Sequence, residues 1–369
     1  MTKARQLADL GNAYDDGALS NRNILHNSEM KVAQRGASFT GVQAPAYHLD
    51  RWNSHISGAS TKGICTITQD SDTPNGFAKS LKVAVTTADT SLDAWAEYAI
   101  QQRLEGQDLQ RLCKGTSSAK EVTISFWVKS SLTGTYILEM LDDDNGSRHI
   151  NKSYTINSAN TWEYKSITFA GDTSGVLDND NAKSMTISWD LAGGSNFQGG
   201  GLQTSWGSLA QTKRQDGQVN FFANTGNTFQ LTACQMEVGD TATPFEHRSY
   251  AEELTKCHRY YQKYGGGSAY HAFLVAGTYN GSTGAGYFEL SERMRAVPTG
   301  SANGTFDAGN GYSQDASLSH INGWLEPDGT CKLVGIKVNG TGSNYLTGGF
   351  IRVRASNDTT ARIIFDAEL

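Results

Sequence analysis

Two stretches of the sequence place a tryptophan on the polar side of a strand pattern, beside residues that can form hydrogen bonds. The first group comprises Trp95, Glu97, Gln101 and Arg103, and the second comprises Thr123, Ser125, Trp127 and Lys129. A wide aromatic ring suits the apolar C–H face of a pyranose, and polar neighbours suit its hydroxyl groups. We therefore expect the two groups to share one sugar-binding surface on one sheet. The alternative is that both tryptophans pack under loops, against another domain or at a subunit interface.

An acidic loop, LDDDNG, ends at Gly146 and could hold a cation. It is not an EF-hand, because placing Gly146 at the sixth position puts a leucine on the first ligand position and Lys152 on the twelfth. A turn-linked structural calcium could still use Asp142 and Asp144, or the second acidic cluster at 178–180. The alternative is a solvated turn. Apart from this calcium we expect no cofactor.

Motifs of the common enzyme classes are missing from the sequence. It has no G-x-S-x-G elbow, no P-loop lysine and no H-E-x-x-H pair, and its histidines and cysteines show no paired metal-ligand spacing. We therefore expect a protein that is not an enzyme. A glycan depolymerase is a less favoured alternative: two carboxylates without fixed spacing would suffice for a glycosidase, but the β-helix repeat usual in such proteins is not found.

Charge and hydropathy limit the possible partners. The formal net charge is −6 and no cluster of lysine or arginine occurs, which argues against nucleic acid as a main partner. No apolar run approaches the roughly 18 residues of a membrane span, so we expect no membrane insertion. Five scattered cysteines fit synthesis in a reducing cytoplasm.

The elements that must position these residues are predicted to be antiparallel strands. Alternation is clearest where Val122, Ile124 and Phe126 occupy one side of a strand and polar residues the other. Strand follows strand without alternating helices, which favours a jelly-roll β-sandwich over a parallel α/β sheet. One short helix is predicted over Glu105–Leu112, from the spacing of its leucines.

A second helix is predicted from Tyr250 to Tyr264. Ser249 and Glu252 match the S-x-x-E capping box, and three glycines at 265–267 would end the helix. These boundaries divide the chain into an N-terminal attachment or trimerisation segment at 1–22, a jelly-roll domain at 23–248, a linker helix at 249–267 and a smaller antiparallel β domain at 268–369.

Two features favour a homotrimer. Residues 1–22 contain only Leu7, Leu10 and Leu19 as sizeable apolar side chains, too few to bury a core alone. The glycine-rich C-terminal strands are expected to have long edges that symmetry would cover. A disordered leader is the alternative reading of residues 1–22.

Six segments between Asn21 and Tyr261 carry a family resemblance. They are NRNILHNSEMKVAQRGASF, LDRW, QQRLEGQDL, EVTISFWVKSSLTGTY, NTWEYKSITFAGD and QMEVGDTATPFEHRSY. They resemble bacteriophage tail-fibre and virion structural proteins with a carbohydrate-binding-module-like jelly roll. The resemblance implies a homotrimer in the virion tail, made in the host bacterial cytoplasm, that contacts other tail proteins and adsorbs to a host-surface polysaccharide or another envelope receptor. The alternative is a purely structural virion protein, attached to the tail nozzle or decorating the capsid.

Overall fold

The structure is a computed structural model that describes residues 3, 5, 21–58, 60, 62–280, 283–309, 316–324, 333–341 and 350–369 of the chain. Most of the predicted attachment segment at 1–22 lies outside these residues. The described residues divide into two compact units, the first up to Glu253 together with Leu369, and the second from Leu254 to Glu368. Among the described residues, no helix is long and apolar enough to cross a bilayer.

The first unit is built from antiparallel strands in two sheets. Its described strands are β1 (Ser38–Val42), β2 (Ala46–Tyr47), β3 (Asn53–Ser57), β4 (Ile64–Asp70), β5 (Ser80–Thr87), β6 (Glu97–Glu105), β7 (Val122–Ser130), β8 (Gly134–Asp142), β9 (Arg148–Ile156), β10 (Glu163–Phe169), β11 (Lys183–Gly193), β12 (Gly207–Ser208) and β13 (Thr228–Val238). A six-stranded sheet has the order β1-β4-β5-β13-β7-β10, and a seven-stranded sheet the order β12-β9-β8-β11-β6-β3-β2. The predicted antiparallel, mostly β fold is confirmed.

The core of the first unit lies between the inner faces of these sheets. Phe126 of β7 meets Trp189 of β11 with ring centroids 5.8 Å apart, and Trp189 in turn lies 5.4 Å from Trp52. All three side chains are fully buried. Burying such a side chain contributes about 1.5–3 kcal/mol to stability, so the apolar side of each strand pattern fixes which face turns inward.

The short helix predicted over Glu105–Leu112 is instead a pair of 3₁₀ turns, Gly106–Asp108 and Gln110–Leu112. Leu109 and Leu112, whose spacing suggested the helix, are both buried. The segment is too short to form an α-helix in isolation, and Cys113, with φ of 48°, ends it in the left-handed region.

The connecting helix α1 spans Tyr250–His258. Its predicted capping box is confirmed: the Ser249 amide donates to Glu252 Oε2 at 2.7 Å, and the Glu252 amide donates to Ser249 Oγ at 3.2 Å. The helix ends six residues before the predicted Tyr264, because Tyr261–Gly265 forms strand β14 and pairs with a later strand. Tyrosine is also common in strands, and here pairing with another strand favours the strand over a longer helix.

The second unit is also antiparallel. Its described strands are β14 (Tyr261–Gly265), β15 (Ala272–Asn280), β16 (Thr283–Glu289), β17 (Thr299–Asn303), β18 (Phe306–Gly309), β19 (Ala316–Trp324), β20 (Leu333–Thr341), β21 (Phe350–Ala355) and β22 (Arg362–Asp366). Six of them close a barrel in the order β15-β16-β20-β19-β18-β21, and β14, β22 and β17 form a small sheet. Barrel closure pairs the edges of six C-terminal strands. These edges were expected to be open, so they no longer favour a trimer.

Candidate functional site

The structure places the two predicted groups on different sheets. The residues of the first group lie on β6 or just before it, in the seven-stranded sheet, and those of the second lie on β7, in the six-stranded sheet. The expectation of one shared surface is therefore wrong. Strand parity shows which side of its own sheet a residue faces, but it does not show which sheet the strand joins.

Trp95, from the first group, lies on the protein surface. It precedes β6, and its side chain is 55% exposed. Its ring meets Phe197 edge-on, with centroids 5.8 Å apart at an interplanar angle of 81°. The Arg214 guanidinium lies 5.4 Å from the centroid of the Phe197 ring. Trp95 is therefore the outer member of a row formed by Trp95, Phe197 and Arg214.

The polar residues of the first group bind to neighbouring protein groups. Glu97 is buried and accepts from Arg214 Nη2 at 2.7 Å. Gln101 is buried too, and its amide donates to a serine hydroxyl of β11 at 3.4 Å. Arg103 donates to the carbonyl oxygen of Leu369 at 2.7 Å. Glu97 in particular is held too far from solvent to contact a ligand.

Glu97 belongs to a buried charged network that sequence reasoning missed. Arg214 also binds Glu139 at 2.7 Å, and Glu139 lies 2.8 Å from His149 Nδ1. Burial opposes ionisation of Glu97, but the hydrogen bond from His55 and the charge of Arg214 outweigh it and lower the pKa of Glu97 to about 2. Burial of Glu139 is outweighed in the same way, first by the charge of Arg214, and its pKa is also lowered.

Asp190 is the member of this network with an unsatisfied carboxylate oxygen. It is fully buried, one carboxylate oxygen accepts from Ser188 Oγ at 2.7 Å, and the other has no hydrogen-bond partner. Burial and, next, the charge of Glu139 raise its pKa well above the ordinary value. The sequence signal for the network is that Glu97, Glu139 and Asp190 each lie on the polar side of a strand pattern.

The second group lies on an open two-strand surface that we name the β7–β10 ladder. In the register of β7 and β10, Thr123 pairs with Thr168, Ser125 with Ser166 and Trp127 with Tyr164. Continuing this register by two residues along each strand places Lys129 opposite Trp162, on the same side of the sheet. The ladder comprises Thr123, Ser125, Trp127, Lys129, Trp162, Tyr164, Ser166 and Thr168.

One end of the β7–β10 ladder is aromatic. The rings of Trp127 and Tyr164 lie 5.6 Å apart at 56°, and Tyr164 is 47% exposed. The Lys129 ammonium stands 6.0 Å from the centre of the Trp162 ring. Together these side chains offer a half-buried pair of rings beside a cation at the protein surface.

Asp72 fixes the outer part of this aromatic end. It forms an ion pair with Lys129 and accepts a hydrogen bond from Trp162 Nε1 at 3.0 Å. The hydrogen bond from Lys129, followed by that from Trp162, lowers the pKa of Asp72. The lysine and the indole are therefore held in place by a shared carboxylate.

The other end of the β7–β10 ladder carries hydroxyl groups. The Thr123 and Thr168 hydroxyl oxygens lie 2.8 Å apart, and each is within hydrogen-bond distance of a backbone carbonyl, at Gly239 and Asp240 respectively. Thr123 and Ser125 are buried, so they support this surface and do not face solvent.

Of the predicted second group, Trp127 and Lys129 belong to the open aromatic end. Sequence reasoning missed Trp162 and Tyr164, although the alternation in WEYKSITF places both on the polar side of the adjacent strand pattern.

The acidic loop is occupied by protein groups. Asp142 Oδ2 accepts from the buried Lys114 ammonium, and Oδ1 accepts from the amides of Asp144 and Asn145 at 2.9 and 3.1 Å. Asp144 accepts from the amide of Asp178 at 3.0 Å. Within the described part of the chain, no group of three or more His, Cys, Asp or Glu residues is arranged to hold a metal ion. The calcium hypothesis stays a prediction.

Comparison with known proteins gives distant likenesses of structure. No protein-family model matches the chain, and no curated protein matches its sequence. The enzymatically active domain of tailspike protein 4 from bacteriophage CBA120 is 14% identical, with a TM-score of 0.29 over 51% of this chain and 19% of that one. This chain therefore spans under a fifth of that tailspike domain.

Two Clostridium thermocellum structures show similar levels of likeness. The CBM22-1-GH10 modules of endo-1,4-β-D-xylanase 10B are 11% identical, with a TM-score of 0.30 over 61% of this chain and 30% of that one. The family 11 carbohydrate-binding module of cellulase Lic26A-Cel5E is 16% identical, with a TM-score of 0.28 over 56% of this chain and 99% of that one. Likenesses this distant carry no argument about the function of this chain.

Proposed function

We propose that the first unit is a non-catalytic saccharide-binding module whose ligand stacks on the aromatic end of the β7–β10 ladder. The observation that carries this proposal is the Trp127–Tyr164 pair, with rings 5.6 Å apart and Tyr164 47% exposed. A partly exposed aromatic pair beside polar groups that are held in place is typical of sites that bind amphipathic ligands. A pyranose has this character, because its C–H face is apolar and its rim carries hydroxyl groups.

Each group at this end has a role in such binding. Tyr164 and Trp127 would stack against the sugar face, which removes apolar surface from water. Lys129 and Asp72 would exchange hydrogen bonds with ring hydroxyls, as donor and acceptor. Because their mutual ion pair already holds both side chains, little rotamer entropy is lost on binding.

The biological setting we propose is adsorption of a bacteriophage tail to its host. The support is the resemblance of the segments between Asn21 and Tyr261 to tail-fibre proteins. In this proposal the protein is a homotrimer, joins other tail proteins in the virion and binds a polysaccharide of the host envelope. It is made in the host cytoplasm and has no catalytic activity of its own.

A glycan array tests the binding function. We expect the purified full chain to bind a subset of bacterial surface glycans, and Tyr164→Ala to lose most of that signal. Val176→Ala is the matched control, because Val176 is another exposed apolar residue of this unit, at 59% exposure, and lies outside the ladder. Release of reducing sugar from a bound glycan would contradict the non-catalytic part of the proposal.

A further inference from the structure

The outer face of the C-terminal barrel carries exposed apolar side chains on three neighbouring strands. Val275 on β15, Tyr287 on β16 and Phe350 on β21 are 61%, 65% and 77% exposed. Among the side chains of the second unit whose burial the structure describes, no other large apolar one is exposed as much. Single exposed apolar residues are ordinary, but adjacent ones mark binding surfaces.

Strand register brings small residues between these side chains. Gly277 pairs with Phe350 on one side and with Ala285 on the other. A Cβ built on Gly277 would meet no atom closer than the Ala285 carbonyl oxygen at 3.9 Å. The surface above Gly277 is therefore open. Gly277 and Ala285 form a shallow depression, and the Phe350 ring lies at its edge.

The next pleat of the same three strands completes the surface. Val275 pairs with Arg352, which is exposed. Continuing the β15–β16 register by two residues puts Tyr287 on the other side of Val275. We name this surface the barrel trough, and it comprises Val275, Gly277, Ala285, Tyr287, Phe350 and Arg352.

The size of the barrel trough favours a small ligand over a protein partner. An aromatic side chain presents roughly 200 Å², so the exposed fractions of Tyr287 and Phe350 amount to about 300 Å² of aromatic surface. A stable protein interface needs about 800 Å² from each partner. Tyr287 and Phe350 stand two strand spacings apart and two residues apart along the strands, about 12 Å in all, which leaves room for a sugar-sized unit between the rings.

The charge beside the trough selects the class of ligand. Arg352 presents a planar guanidinium, which binds carboxylates through two parallel hydrogen bonds. The neighbouring Arg354 is already bound to Asp307 at 2.7 Å, whereas Arg352 is exposed beside Val275. We propose that the barrel trough is a second saccharide site, separate from the β7–β10 ladder, that binds a sugar unit carrying a carboxylate.

Binding of uronate trisaccharides tests this proposal. The full chain carrying Tyr164→Ala, which weakens binding at the β7–β10 ladder, is titrated calorimetrically with galacturonate, glucuronate and mannuronate trisaccharides and with their neutral counterparts. We expect at least one uronate trisaccharide to bind. Phe350→Ala removes one of the two rings, and Gly277→Leu fills the space between them. Each should weaken that binding at least tenfold. Val297→Ala, at another exposed apolar residue of the same unit, should leave it unchanged.

Arg352→Gln separates the role of charge from that of the rings. It should abolish the preference for the uronate over its neutral counterpart while the neutral sugar still binds. The proposal is overturned if no uronate trisaccharide binds at millimolar concentration, or if Phe350→Ala and Gly277→Leu leave binding unchanged. It is also overturned if Phe350→Ala lowers the molecular mass in light scattering, because the trough would then be an interface between copies of the chain.

Discussion

Trp127 and Trp95 share a sequence context but have different surroundings in the structure. Trp127 lies half-buried against the ring of Tyr164 on the six-stranded sheet, whereas Trp95 lies beside Phe197 on the other side of the sandwich. The exposed area of an aromatic residue matters for binding only where neighbouring groups complete a surface. The β7–β10 ladder supplies such groups around Trp127.

Separate substitutions of the two tryptophans should therefore give different results. We expect Trp127→Ala to weaken glycan binding at least tenfold, and Trp95→Ala to leave it within a factor of two. Affinity measured by calorimetry, with thermal unfolding as the control for folding, distinguishes them. Equal losses of affinity would mean that the ligand does not bind on the β7–β10 ladder alone.

Asp190 gives a prediction about pH. Its pKa is raised above the ordinary value of 3.8, so Asp190 destabilises the folded protein at pH values where the unfolded chain would ionise it. This cost is absent below about pH 4 and grows as pH rises toward the folded-state pKa. Asp190→Asn cannot titrate, so its melting temperature should exceed that of the wild type by several degrees at about pH 8.

The same measurement at low pH is the control. The advantage of Asp190→Asn should shrink as the pH falls to about 4, because both proteins then carry a neutral side chain at this position. Glu97 and Glu139 have lowered pKa values, so their stabilising contribution is lost with falling pH in both proteins. A difference in melting temperature that stays constant with pH would show that the gain does not come from the charge of Asp190.

At the scale of elements, the capping box of α1 was predictable because it is local. Ser249 and Glu252 are three residues apart, and their reciprocal bonds follow from helix geometry alone. The end of the same helix was not predictable in this way, since Tyr261–Gly265 pairs with β22, a strand about a hundred residues further along the chain. Local patterns determine what a segment can form, and distant partners determine what it does form.

Removal of the cap should cost about 1 kcal/mol of stability. Ser249→Ala leaves the Glu252 amide without its side-chain acceptor, so the first turn of α1 should open more often. Limited proteolysis should then cut within residues 243–267 faster than in the wild type. Ser249→Asp, which keeps an acceptor at this position, is the matched control. Unchanged cleavage in Ser249→Ala would mean that the capping box does not limit opening of this segment.

The candidate site shows the same limit of sequence reasoning. Parity along β7 identified Trp127 and Lys129 as facing away from the core, and the structure agrees. Parity could not show that β10 lies beside β7 or that β6 lies in the other sheet. For that reason Tyr164 was missed and Glu97 was assigned to a ligand, although Arg214, far along the chain, neutralises it.

At the scale of the whole molecule, closure of the barrel changes the basis for a trimer. With the barrel strands paired in a ring, the expectation rests on residues 1–22 and on the resemblance to tail fibres. We still expect a homotrimer. Light scattering at micromolar concentration should give three times the mass of the 39.8 kDa chain, and deletion of residues 1–22 should lower it. A monomer mass with those residues intact would contradict this prediction.

The most direct test of the saccharide-binding function is a binding isotherm for the strongest array glycan. The full chain should bind it, Tyr164→Ala should bind it at least tenfold more weakly at an unchanged melting temperature, and Val176→Ala should match the wild type. Because Tyr164 is 47% exposed and packs on Trp127 in an open ladder, its removal takes away half of the proposed stacking surface without opening the core. Equal affinity of Tyr164→Ala and the wild type would show that the β7–β10 ladder is not the binding site.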